Sequence, residues 1–124
     1  MAYDATLTRR LRVLLEGLPG FSERRMFGGV CFMLSGRMCC GVVGSDLVVR
    51  VGPEAHDRAL LKAAARPMDF TGRPLRGFVY VGPAGYQTER GLKMWTRRAV
   101  RFVSGLPPRP KVRAATRGRR AVYS

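Results

Sequence analysis

Acidic residues are scarce in this chain of 124 residues, which contains 8 Asp+Glu against 23 Lys+Arg. The formal net charge is +15, and the isoelectric point lies near 11.4. A balance of this kind favours contact with polyanions, meaning nucleic acid or an anionic membrane face. It carries no information about the fold, because net charge reports on partners rather than on architecture.

Residues that commonly carry chemistry are also few: one histidine, His56, and three cysteines, two of them adjacent. Three cysteines do not make a disulfide framework and are typical of reduced thiols, which predicts a cytoplasmic protein. His56 has no partner at metal-ligand spacing. Paired carboxylates, a Gly-x-Ser-x-Gly motif and a Gly-rich phosphate loop are missing too. We therefore predict no catalytic residues, no cofactor, no metal and no enzymatic activity.

Long apolar runs are absent, since none approaches the roughly 18 residues that a transmembrane helix requires. The first residues, MAYDATL, do not show the pattern of a signal peptide. The hydrophobic fraction of 46% is ordinary for one globular core. We predict a single domain over residues 1–106. The segment 107–124 is rich in cations and contains no acid, so we predict a disordered basic tail there.

The stretch from Arg24 to Val51 organises the predicted domain. Runs of β-forming residues are divided by Ser35-Gly36 and by Gly44-Ser45-Asp46, whose residue types suit tight hairpins. These gaps are too short for a crossover helix, so neighbouring strands must be antiparallel. The predicted fold class is α+β, with an antiparallel meander packed against helices in the order α-β-β-β(-β)-α-β-α.

Three helices are predicted around this sheet. The first covers residues 4–16, with Asp4 or Thr6 as its cap. The second opens at Gly52-Pro53-Glu54 and ends before Pro67. The last covers residues 88–104, with Thr88 as its N-cap and Trp95 on its apolar stripe.

Two groups of cations are the candidate site for nucleic acid or an acidic partner. One follows helical spacing opposite the Trp95 stripe, and we read it either as a phosphate-facing row or as a solvated basic face. The other lies in the tail, which either clamps DNA or RNA by counterion release or only solubilises the chain. The helix group is Arg90, Lys93, Arg97 and Arg101, and the tail group is Arg109, Lys111, Arg113, Arg117, Arg119 and Arg120.

Three further features have competing interpretations. A two-residue turn at Ser35-Gly36 places Cys31 opposite Cys40, either as a redox pair or, as we favour, as small buried hydrophobes. His56 is either a general base or, as we favour, part of a solvated helix surface. Gly28 and Gly29 form either an anion-binding nest or, as we favour, a backbone feature such as a bulge or a close approach.

An ordered set of motifs carries a family resemblance. It consists of Arg-Met-Phe-Gly-Gly at residues 25–29, a glycine turn at Gly36, a strand ending at Arg50, and a late helix with Leu92 and Trp95. In these features the chain resembles the N-terminal domain of the TfoX/Sxy proteins. The pattern RPMDFTGRP at residues 66–74 and Leu-Pro-Pro at 106–108 resembles a single-domain branch of that family.

The resemblance implies a transcriptional co-regulator linked to competence, and it implies no catalytic residues. The leading hypothesis is thus a non-catalytic regulatory domain that associates with nucleic acid or the transcription machinery. The first alternative is a protein-binding module that uses an exposed sheet edge for an acidic partner and has no role in competence. The last is a small thiol-redox protein.

Overall fold

The computed structural model describes residues 3–26, 28–69 and 75–107. Six strands form one antiparallel sheet in the order β1-β2-β3-β4-β6-β5. The strands are β1 (Phe21–Met26), β2 (Gly29–Leu34), β3 (Arg37–Val43), β4 (Asp46–Arg50), β5 (Ala65–Pro67) and β6 (Phe78–Val81). The helices are α1 (Ala5–Leu15), α2 (His56–Ala59), α3 (Pro83–Tyr86) and α4 (Glu89–Ser104).

The turns that divide the meander have the backbone geometry that their residues predict. Ser35 and Gly36 have φ angles of 53° and 78°, and Gly44 has 59°. Positive φ at both central residues, as at Ser35 and Gly36, is the signature of a type I′ hairpin turn, whose twist matches that of the strands. As predicted, Leu34 lies opposite Arg37.

Both long helices begin at the predicted caps. The Asp4 carboxylate accepts a hydrogen bond from the Leu7 N–H at 2.9 Å, and the Thr88 hydroxyl accepts one from the Gly91 N–H at 3.0 Å. These bonds satisfy amide groups that have no partner within the first helical turn. Each helix then buries one stripe, which includes Leu11 in α1 and Trp95 in α4.

The core lies between the sheet and these helices. Helix α4 contacts β3 and β4, while α1 contacts β2, β3 and α4. The fully buried side chains between them include Phe32, Leu47 and Trp95. The architecture is α+β with helices on one antiparallel sheet, which confirms the predicted fold class. In the described ranges no helix is long and apolar enough to cross a membrane.

The second predicted helix is much shorter than expected. Only His56–Ala59 is helical, and the chain then turns through i→i+3 hydrogen bonds, such as Lys62 N–H to the Ala59 carbonyl. The reason is that this segment offers little apolar surface to the core: Ala59 is buried, but Leu61 is 84% exposed. The chain instead forms β5, an additional strand that pairs with β6.

The structure also adds the short helix α3 before α4. The sequence predicts that Gly82-Pro83 ends the strand before it, and Pro83 also occupies the first turn of α3, where a missing N–H has no cost. The sequence also predicts an ordered loop over residues 68–77, with Met68, Phe70 and Leu75 as its apolar anchors. Met68 is buried and Leu75 is half-buried. The proposed anchor Phe70 and the tail from residue 108 onward lie outside the described residues.

Candidate functional site

The outer face of α4 brings the predicted helix cations together. Their side chains, with those of Met94 and Arg98, line a surface cleft of about 450 Å³. A helix that buries Trp95 and Ala99 must turn positions 90, 94, 97 and 101 outward, because these lie across the helix axis from the buried stripe. We call this surface the basic ridge; its five cations are Arg90, Lys93, Arg97, Arg98 and Arg101.

The five ridge cations differ in their exposure to solvent. Arg90, Arg97 and Arg101 are exposed, whereas Lys93 and Arg98 are half-buried. The Arg98 guanidinium lies 5.5 Å from the centre of the Trp95 ring, a geometry in which a cation is attracted to the aromatic face. Arg98 is thus held by the residue that anchors α4 in the core.

Acidic residues compensate little of this charge. Glu89 lies 3.8 Å from Lys93 and 3.9 Å from Arg10, at the N-terminal end of the ridge. Within the described part of the chain, Arg90, Arg97 and Arg101 form no ion pair. Like charges three or four residues apart on a helix repel one another. The ridge is therefore a concentrated positive surface that an anion would stabilise.

The tail cations of the candidate site cannot be added to this surface. Arg109, Lys111, Arg113, Arg117, Arg119 and Arg120 all lie outside the described residues. Their contribution to binding stays a prediction from the sequence.

The predicted pairing of Cys31 with Cys40 is wrong. A bulge between Phe32 and Met33 shifts the register, so that Cys31 lies opposite Gly41 and Cys40 opposite Phe32. Successive side chains of a strand point to opposite faces, which puts Cys40 among the helices and Cys31 on the other face of the sheet. The sequence shows the turn that fixes one end of this hairpin, but it does not show the extra residue in β3.

All three thiols are free and buried. Burial raises the pKa of Cys31. A hydrogen bond with Cys39, together with burial, raises the pKa of Cys40 well above its ordinary value. Because the thiolate is the reactive species, a raised pKa and burial both lower the reactivity of Cys31 and Cys40. In the described ranges no group of three or more His, Cys, Asp or Glu residues could hold a metal ion.

The prediction that His56 belongs to a solvated helix surface is also wrong. Its side chain is buried, with 6% exposed, and its Nδ1 accepts a hydrogen bond from the Gly77 N–H at 2.9 Å. The alternative prediction of a general base receives no support from this arrangement, because the acceptor nitrogen is already occupied by a backbone amide.

Gly29 and Arg50 show why the motifs of the sequence are structural. A Cβ atom on Gly29 would lie 2.0 Å from the Val42 carbonyl oxygen, so the close approach predicted for this glycine pair is present. The Arg50 guanidinium lies 5.5 Å from the Phe78 ring and 5.4 Å from the Phe102 ring. Burial, and then the nearby Arg37 charge, lower the pKa of Arg50. Sequence reasoning did not find these two cation–π contacts, because Arg50, Phe78 and Phe102 are far apart in the chain.

These features define a small α+β domain with a cationic outer helix and motif residues that serve packing. Residues 13–103 match the family model described as the TfoX N-terminal domain. The match covers well over half of the chain, and the protein therefore belongs to the TfoX N-terminal domain family, as the motifs predict. Comparisons with curated proteins and with solved structures return no match.

Proposed function

We propose that this protein is a non-catalytic regulatory domain that associates with nucleic acid, and through it with transcription, by means of the basic ridge. The observation that carries the proposal is the row of five cations on α4, of which Arg90, Arg97 and Arg101 form no ion pair within the described residues. The implied role of the family in transcription and competence agrees with it.

The dimensions of the ridge suit a phosphate backbone. From position 90 to position 101 the helix rises by roughly 16 Å at about 1.5 Å per residue. Duplex DNA carries one charge per roughly 1.7 Å of its axis, so several phosphates lie within this length. Contacts of this type bind without reading the base sequence, and they are expected to be steeply dependent on salt.

The proposal also assigns no catalytic activity to this protein. The buried thiols and the hydrogen-bonded His56 support structural roles for the residues that would otherwise be nucleophiles or bases. Free cysteines also support a reducing compartment such as the cytoplasm. No residue is therefore assigned a catalytic role.

The test is the fluorescence anisotropy of a labelled DNA duplex, titrated with the full chain at several salt concentrations. If the five ridge cations all engage, they contribute about −4 to −5 to the slope of log affinity against log salt. The triple variant Arg90→Gln, Arg97→Gln, Arg101→Gln should make the slope less steep by about 3. A full-length variant with the six tail cations replaced by glutamine measures the tail separately.

A matched control removes three exposed cations elsewhere, as Arg9→Gln, Arg24→Gln, Arg58→Gln. The net charge of both triple variants is the same, so a loss confined to the ridge variant locates the contact. Equal losses in both variants would mean diffuse attraction and would reject the ridge as the site. Absence of binding to duplex DNA and to RNA at low salt would reject the function.

A further inference from the structure

An apolar groove runs between α1 and α4, beside the basic ridge. It consists of two adjoining cavities. One, of about 490 Å³, lies between the two helices, and the other, of about 510 Å³, continues from the C-terminal end of α4 to the β2–β3 turn at Ser35 and Arg37; both are lined by Leu18, Val100 and Ser104. Leu14 extends the floor along α1. Leu14, Leu18 and Val100 are half-buried, so the two helices pack at the core but leave an apolar furrow at the surface. We call this feature the α1–α4 groove.

The length of the groove suits a short helix. Its lining on α4 extends from Lys93 to Ser104, which corresponds to roughly 16 Å, or about three helical turns. An amphipathic helix laid into a groove places apolar side chains at spacings of three and four residues. A three-turn segment would cover Val100 and Leu18 with such a stripe.

One side of the groove is cationic. Lys93, Arg97 and Arg101 stand along its α4 border, and no acidic side chain from the described residues lines either cavity. Complementary charge is what selects and orients a partner at such a border. An occupant must therefore combine an apolar stripe with carboxylates beside it.

We propose that the α1–α4 groove binds an acidic amphipathic helix of about three turns from another protein. A second copy of this chain fits poorly, because each copy carries a net charge of +15. The segment 108–124 has six cations and no acid, so the same repulsion acts against it. Nucleic acid lacks an apolar stripe to cover the floor and is assigned to the ridge.

This inference goes beyond the proposed function, and the two share three cations. Lys93, Arg97 and Arg101 border the groove and also belong to the ridge. The acidic helix and a DNA duplex should therefore compete for the full chain, although each also has contacts of its own. In this arrangement Val100 contacts only the acidic helix of the partner protein, while Arg90 and Arg98 contact only the DNA duplex.

The experiment uses the full chain and a fluorescein-labelled 14-residue peptide that has leucine on one helical face and glutamate on the other. A control peptide has the same composition in an order without an apolar face. We expect the amphipathic peptide to bind at least tenfold more tightly than the control. Equal affinities would reduce the interaction to charge alone and would overturn the proposal.

The variant Val100→Asp should weaken the amphipathic peptide at least tenfold and change DNA affinity less than threefold. Arg9→Gln changes the net charge by the same amount away from the groove and should leave peptide affinity within twofold. Thermal unfolding shows whether Val100→Asp remains folded. Unchanged peptide affinity in a folded Val100→Asp variant would contradict the assignment.

A second pair of variants does not touch the apolar floor. Lys93→Gln/Arg101→Gln should weaken the peptide at least fivefold, whereas Arg90→Gln/Arg98→Gln should weaken it less than twofold, although both pairs reduce DNA affinity. If the second pair lowers peptide affinity as much as the first, the groove is not the site. DNA binding measured on the same variants separates failure of this inference from failure of the proposed function.

A photo-crosslinking residue at position 104, an exposed position that lines both cavities, reports the occupant directly. Crosslinking to the amphipathic peptide, abolished by unlabelled competitor, supports the proposal. Crosslinking to residues 108–124 of the same chain, or to a second copy, in preference to the peptide would overturn it.

Discussion

The buried Nδ1 of His56 and the backbone N–H of Gly77 form a hydrogen bond of 2.9 Å. Gly77 has a φ of 94°, and its carbonyl accepts hydrogen bonds from the N–H groups of Val51 and Gly52 at 2.8 and 3.0 Å. One peptide segment thus joins α2, the end of β4 and the start of β6. This bond explains the burial of a histidine that the sequence pattern places on the surface.

Replacing His56 by alanine should lower the free energy of unfolding by about 1–3 kcal/mol, because the Gly77 N–H loses its acceptor inside the protein. Arg58→Ala in the same short helix is the control, and as an exposed position it should change the free energy by less than about 0.5 kcal/mol. Chemical denaturation of both variants measures the difference. Equal stabilities would show that the bond contributes nothing.

Gly29→Ala should destabilise the sheet by about 1–3 kcal/mol or more, because the added methyl group would collide with the Val42 carbonyl and force the strands apart. Gly17→Ala is the control, since a Cβ there meets nothing within 4 Å. The measurement is the midpoint of thermal unfolding. A Gly29 variant as stable as the Gly17 variant would contradict the close approach.

The pair formed by Arg12 and Glu23 joins α1 to β1, with Nη2 donating to Oε1 at 3.0 Å. The hydrogen bond from Arg12 lowers the pKa of Glu23. A carboxylate with a lowered folded pKa stabilises the protein above its unfolded pKa, about 4.3, and this contribution is lost as the pH falls through the folded value.

Glu23→Gln should therefore cost less than about 1 kcal/mol at pH 7, since the pair is partly exposed and screened. The difference from the parent should vanish below the lowered pKa. Glu54→Gln, at an exposed position, is the control. Denaturation at a series of pH values tests this, and a difference that grows towards acid would refute the assignment.

The three cysteines should be slow to react with a thiol reagent in the native protein. The raised pKa values of Cys31 and Cys40, and the burial of all three side chains, leave little accessible thiolate. Three equivalents should react rapidly after addition of denaturant. Rapid native reaction, or an oxidant-induced bond between Cys31 and Cys40, would revive the redox alternative.

Local chemistry explains which features the sequence predicts well. The caps at Asp4 and Thr88 and the turn at Ser35-Gly36 depend on residues within four positions of one another. The buried stripes of α1 and α4 follow from helical periodicity in the same way. The ridge cations lie on one face of α4 for the same reason, because they recur at helical spacing along the sequence.

Other predictions failed because they depend on pairing between segments that are far apart in the chain. The start at Gly52-Pro53-Glu54 predicts a second helix that continues to Pro67, but residues 65–67 pair with the edge of β6 as a strand. Cys31 and Cys40 were paired by counting from a correctly predicted turn, and one bulged residue moved them to opposite faces. The alternation of residue types along a strand does not reveal an extra residue of this kind.

The sequence alone determined the fold class, the family, the long helices with their caps, and the concentration of positive charge, since each depends on composition or on neighbours along the chain. Tertiary structure alone decided the burial of His56, the register of the cysteines, the aromatic partners of Arg50 and the groove between α1 and α4. Those four features depend on how separate segments pack against one another, and the free energy of that packing cannot be derived from any single stretch of residues.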